Sequence, residues 1–368
     1  MDQRTRAYVA SAGIVGIFLL VQLGALALVG PFDQAGYQAV EDPQDPTNSL
    51  AYVVVILVAT GLMLAVIRYG VDWLLRVVLV GAGAYIGLFV FRILVPPVVT
   101  VPVAGAGVNL LAWALAGVLG VVLWVYPEWY VIDAAGVVMG AGAAGLFGIS
   151  FGVLPALLLL VVLAVYDAIS VYGTEHMLTL ASGVMDLKVP IVLVVPLSLS
   201  YSYLDADTPD PVAEDGDDSD AGTDSVVTRD PATADGGETT GTGTDDAEMG
   251  GEAGDGTDGA DADPFDRDAL FIGLGDAVIP TVLVASAAFF AGDTVPVVDL
   301  LLLSAPLPAL TAMVGTSAGL VALLWMVLKG RAHAGLPLLN GGTIAGYLVG
   351  AVAGGLTLVQ ALGLGPYV

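Results

Sequence analysis

The chain has 368 residues, 57% of them hydrophobic and only 12% charged, with a formal net charge of −26 and a mean hydropathy of +0.87. Soluble domains carry about 25% charged residues, so the expectation is a membrane protein rather than a water-soluble globule. With no cysteine, disulfides and thiolate metal sites are excluded; two histidines, His176 and His333, are too few for a multi-histidine metal centre, and no basic patch exists to neutralise the phosphates of a nucleic acid.

A helix needs about 20 apolar residues to cross a bilayer. On that basis the chain predicts an all-α polytopic membrane protein with nine transmembrane helices, at 7–30, 49–67, 72–95, 104–125, 131–149, 152–172, 269–291, 306–328 and 336–358. The first run follows Arg4 and Arg6 and contains Ala25-Leu26-Ala27, which resembles a cleavage site, but it is long for a signal segment and reads as a retained helix. Gly140, Gly142, Gly145 and Gly148 give the fifth span a small-residue face for close helix packing. Placing the N-terminus inside puts Arg68, Lys188, Arg229, Arg267, Lys329 and Arg331 on inside loops, as the distribution of basic residues in membrane proteins requires. The expected location is the cell membrane, with the C-terminus outside.

Residues 204–268 separate six N-terminal spans (1–203) from three C-terminal ones (269–368). From Asp205 to Asp268 there are 22 of the 36 acids and only two arginines, a net charge of −20. Such a segment cannot bury enough apolar surface to offset its ordering entropy, and it reads as a disordered inside loop. Its carboxylates suit solvation in concentrated salt, which points to a halophilic, salt-accumulating source.

Most remaining acids, Glu128, Asp133 and Asp299 among them, fall in loops or near span ends. Two do not. Asp167 lies within Leu163–Ile169 and Asp276 within Phe271–Val278, and an acid at the centre of a membrane helix costs about 2.5–3.5 kcal/mol. Asp167 is five residues before the inside end of the sixth span and Asp276 eight residues after the inside start of the seventh. At about 1.5 Å per residue both lie on the order of 8–12 Å below the inside surface. Two facing carboxylates in a poorly solvated site do not both ionise readily; they share a proton. The ionised member can then take a proton from water while the protonated one polarises a peptide carbonyl. Gly273 and Gly275 leave room for a substrate backbone beside Asp276.

Tyr166-Asp167 and Gly273-Leu274-Gly275-Asp276, in consecutive spans flanking an inside loop, resemble the presenilin and signal-peptide-peptidase family of intramembrane aspartyl proteases. That resemblance extends to Leu336-Pro337 at the start of the ninth span, the second half of the family's Pro-Ala-Leu-Pro element; Ala334 and Gly335 stand where the family has Pro and Ala. It covers nearly the whole chain outside the acidic loop. It implies a presenilin-like fold and an archaeal homologue that cleaves transmembrane segments of other proteins in the lipid bilayer without a metal or organic cofactor. Asp167 and Asp276 would be the catalytic pair. Tyr166, Gly273, Leu274, Gly275, Gly335, Leu336, Pro337 and Leu338 would shape the site. By the resemblance Pro337, lacking an N–H, would keep its surroundings non-helical, and backbone groups freed there could pair with an unwound substrate as an added strand. The stretch Lys188–Ser200 could extend that platform. The oligomeric state is left open.

Two other chemistries fit parts of the pattern. Buried acids also form ion and proton relays, so an ion- or proton-coupled secondary transporter is the main rival. Gly315-Thr316-Ser317-Ala318-Gly319 has the Gly-x-Ser-x-Gly spacing of a serine nucleophile, but it lies inside an apolar run and lacks the strand–turn–helix elbow that exposes such a serine.

Overall fold

The computed structural model describes residues 3–103, 106–171, 192–198, 201–204, 269–292, 295–300, 303–329 and 334–365. The acidic segment 205–268, and His176, Lys188 and His333, lie outside the described residues. Helices dominate: α1 Gln3–Gln34, α2 Thr47–Arg68, α3 Asp72–Leu94, α4 Leu110–Val125, α5 Trp129–Ser150, α6 Val153–Ile169, α7 Leu274–Phe290, α8 Leu307–Val327, α9 Gly335–Ala353 and the short α10 Leu358–Ala361. Six of them, α1, α2, α3, α5, α8 and α9, are long and apolar enough to cross a membrane; α4, α6 and α7 are apolar but shorter, at 16, 17 and 17 residues.

Three antiparallel strand pairs interrupt the helices: β1 Thr100–Val103 with β2 Ala106–Asn109, β3 Val192–Pro196 with β4 Ala269–Gly273, and β5 Val297–Leu300 with β6 Leu303–Pro306. They shorten the spans expected at 104–125 and 269–291, in which 106–109 and 269–273 are strand. A short apolar run such as Ala269–Gly273 carries no period that separates strand from helix. The α4 start is set by Asn109, whose side chain accepts the Ala112 N–H at 3.4 Å. The long stretch from 297 resolves into the β5–β6 hairpin followed by α8, with Pro308 in the first turn where its missing N–H costs nothing. The last long helix stops at Ala353, before Gly355 turns the chain at φ +94°.

The glycines of α5 make it the hub of the bundle. A Cβ at Gly140 would meet Val21 of α1 and Leu274 of α7 at 3.2 and 3.3 Å. At Gly142 it would meet Val90 and Ile86 of α3; at Gly148 it would overlap Ala285 of α7. Four missing side chains thus let α1, α3 and α7 close on one helix. The α8–α9 pair is as tight. Gly315 and Gly319 face the carbonyls of Gly342 and Leu338, and the hydroxyls of Thr316 and Thr343 bond at 2.7 Å across the seam. Ser317 donates to the Met313 carbonyl within its own helix at 3.0 Å. The Gly-x-Ser-x-Gly segment is therefore a packing surface on a continuous helix, without a nucleophile elbow.

Candidate active site

Asp167 sits near the end of α6, on the face that carries Leu160 and Leu163, and is 6% exposed. Its Oδ2 accepts the backbone N–H of Leu336 at 3.0 Å. Asp276 lies in the first turn of α7. Its carboxylate lies beside the Gly273 backbone and is close enough to Asp167 for the two charges to repel. It also borders α9, since a Cβ on Gly335 would stand 3.7 Å from Asp276 Oδ2. Adjacent residues at the start of α9 thus lie beside one carboxyl group each. Two helix N-termini, those of α7 and α9, face the pair, and their partial positive charge favours one negative charge between them, while proximity opposes a second.

The local sequence accounts for these positions. Asp276 is the third residue of α7 after the Gly273 cap, the place from which a carboxylate reaches back to the cap N–H. Pro280, four residues on, has no N–H to offer the Asp276 carbonyl, so the first turn of α7 is tied less tightly than an ordinary one. Gly275 is exposed, and a Cβ there would meet only Ile279, at 4.0 Å. Leu274 is buried, and its Cδ1 lies 3.6 Å from where a Gly136 Cβ would be.

The Pro337 neighbourhood is not unwound. Gly335, Leu336, Pro337 and Leu338 form the first turn of α9. There a proline removes only an N–H that has no intrahelical partner anyway. The Leu336 N–H of that turn is spent on Asp167. Extended backbone lies instead at β3–β4. The sequence departure at Gly335 is sterically mild, because an alanine Cβ would meet Leu323 Cδ2 at 3.4 Å and Asp276 Oδ2 at 3.7 Å, both ordinary contacts. Tyr166 is 39% exposed, in line with the exposed Val162, Val165 and Ile169 of α6.

Two acids that the sequence placed at a loop and a span edge are buried beside the site. Asp133 Oδ1 accepts the Val194 N–H of β3 at 2.8 Å. Glu128, the cap of α5, accepts the Ser202 hydroxyl through Oε1 at 2.7 Å and the Tyr203 N–H through Oε2 at 3.0 Å. The signal for them was a pair of acids five residues apart where an apolar helix begins, with no basic residue nearby.

Because Val194 N–H points to α5, the Val194–Phe271 pair is a non-hydrogen-bonded one in the β3–β4 ladder. By alternation the N–H and C=O of Phe271 point away from β3, along the outer edge of β4. Among the described residues no strand pairs with that edge. It leads directly through Gly273 to Asp276.

The family model described as signal-peptide peptidase, presenilin aspartyl protease matches residues 15–356. Two solved structures of a presenilin family intramembrane aspartate protease, in C222 and P2 space groups, are each 29% identical to the chain and superpose with TM-scores of 0.56 and 0.54. Each covers 93% of this chain, with 99% and 97% of their own length matched. Among curated proteins none matches. The chain belongs to the signal-peptide peptidase and presenilin family, and it is an aspartyl protease.

Proposed function

We propose that the protein cleaves transmembrane segments of other proteins inside the bilayer, with Asp167 and Asp276 as the catalytic pair. The observation that carries this reading is the meeting of both carboxylates at the N-terminus of α9, one on Leu336 N–H and one beside Gly335. One carboxylate takes a proton from a water, which attacks the scissile carbonyl carbon. The other donates its proton to the carbonyl oxygen. The tetrahedral intermediate collapses as a proton passes to the leaving amide nitrogen. This chemistry calls for no metal or organic cofactor.

A substrate helix approaches from the bilayer along the exposed face of α6 and unwinds, and its strand adds to the outer edge of β4, where Phe271 offers an N–H and a C=O. Exposed Gly275 leaves the path to Asp276 open to that strand and to water from the inside. Nine crossings are proposed, with α4, α6 and α7 completing the six longer helices, the N-terminus and acidic loop inside and the C-terminus outside. The loop is proposed as a solvated tether suited to high salt.

The test is purified protein in vesicles with a generic single-span substrate, beside Asp167→Ala and Asp276→Ala. Wild-type protein is expected to cut it and both variants to leave it whole while remaining folded. Coupled ion flux lost in the same variants, without proteolysis, would support the transporter instead.

A further inference from the structure

We infer that Glu128 and Asp133 are positioning residues, a pair of carboxylates at the start of α5 that clamps the β3–β4 sheet and leaves β4 as the edge that receives the substrate. The inference rests on the proposed addition of a substrate strand to that edge.

A two-stranded sheet has two edges, and an extended peptide could add to either. Only the β4 edge continues into the turn that carries Asp276. On the β3 edge, the outward donor at the centre of the strand, Val194 N–H, is taken by Asp133 Oδ1, and Val194 is fully buried. A carboxylate there both satisfies the donor and covers that edge. β3 is further seated by Leu193, whose Cδ2 occupies the space that a Gly136 side chain would need.

Glu128 holds the other side of the sheet. It fixes Tyr203 through the backbone N–H, and the Tyr203 ring lies 6.2 Å from that of Phe271. Phe271 is the residue paired with Val194. The two acids therefore converge on one cross-strand pair, from the backbone of β3 and from the side chain of β4. That pair stands five residues before Asp276. The consequence is register. A strand slipped by one residue exchanges its two faces and moves a peptide bond by about 3.3 Å, enough to present a neighbouring bond to the catalytic pair.

The experiment maps cleavage positions by mass spectrometry for the full-length protein in vesicles with one single-span substrate. Asp133→Leu is expected to spread cleavage over neighbouring bonds and to lower kcat/KM by roughly tenfold or more, as loss of a hydrogen bond to a charged group implies. Asp133→Asn keeps an oxygen for Val194 N–H and should restore the wild-type positions. Val194→Pro removes the donor from the other side; its N–H faces away from β4, so the ladder survives, and the same spreading is expected. This variant decides alone if Asp133→Leu does not accumulate. Glu128→Ala should also spread the cuts.

Wild-type positions in both Asp133→Leu and Val194→Pro would overturn the clamp, as would spreading in Asp133→Asn equal to that in Asp133→Leu. Unchanged positions in Glu128→Ala would remove Glu128 from it. Failure of the wild-type protein to cut, or cutting by Asp276→Ala, would instead overturn the proteolytic reading on which the clamp stands.

Discussion

Leu336 offers a way to perturb one catalytic carboxylate through a single backbone hydrogen. Its N–H, at the second position of α9, donates to Asp167 Oδ2 at 3.0 Å. Leu336→Pro deletes that donor, and a proline in the first turn of a helix disturbs no intrahelical bond. Leu336→Ala removes the same side chain but keeps the N–H, so the comparison between the two isolates the hydrogen bond. A bond to a charged acceptor is worth about 1.5–3 kcal/mol, which corresponds to roughly ten- to hundredfold in rate. The assay is single-turnover cleavage of a vesicle-embedded substrate at saturating enzyme, with thermal unfolding of each variant as the control for folding. Leu336→Pro is expected to be slower than Leu336→Ala by that factor, at similar stability. Equal rates, within twofold, would refute the idea that the α9 N-terminus holds Asp167 in its working position.

Other outcomes follow from the packing. Gly315→Ala places a Cβ into the Gly342 carbonyl and should destabilise the bundle by about 1–3 kcal/mol, whereas Gly335→Ala makes only ordinary contacts and should leave thermal stability unchanged; melting curves in detergent read both. Asn340 donates to the Leu160 carbonyl at 2.9 Å but leaves its Oδ1 buried without a partner among the described residues. Asn340→Leu, which removes a bond and an unpaired acceptor together, should shift stability by no more than about 1 kcal/mol; a larger loss in the same melts would mean that Oδ1 is satisfied by an internal water. Deleting about residues 210–260 should leave cleavage of the model substrate mostly intact if the acidic segment is only a tether, and loss of activity would give that segment a role of its own.

Asp167 and Asp276 stood out in the sequence because a charge inside an apolar run has few explanations. The glycines of α5 were equally legible, since four of them between Gly140 and Gly148 leave space that neighbouring helices must fill. Glu128 and Asp133 were not. Their partners, Val194 and Tyr203, lie 61 and 75 residues away in sequence, and no local pattern announces which acid at a helix start will meet a distant backbone N–H. The β4 strand was hidden for a different reason, because Ala269–Gly273 is as apolar as the helix it precedes and too short for its period to show. From sequence alone the missing N–H of Pro337 reads as a break. At the first turn of a helix the same feature is neutral, and only the position of the turn distinguishes the two.

In the proposed mechanism the two carboxylates act as one unit on one water. Residues that act as a unit are strongly non-additive in their effects on rate. The most direct measurement is therefore the cleavage rate of Asp167→Asn, Asp276→Asn and the double variant in vesicles, beside the wild-type protein. Each single substitution is expected to abolish cleavage as fully as the double one. A single variant that retains substantial cleavage, with the double variant lower still, would contradict that mechanism.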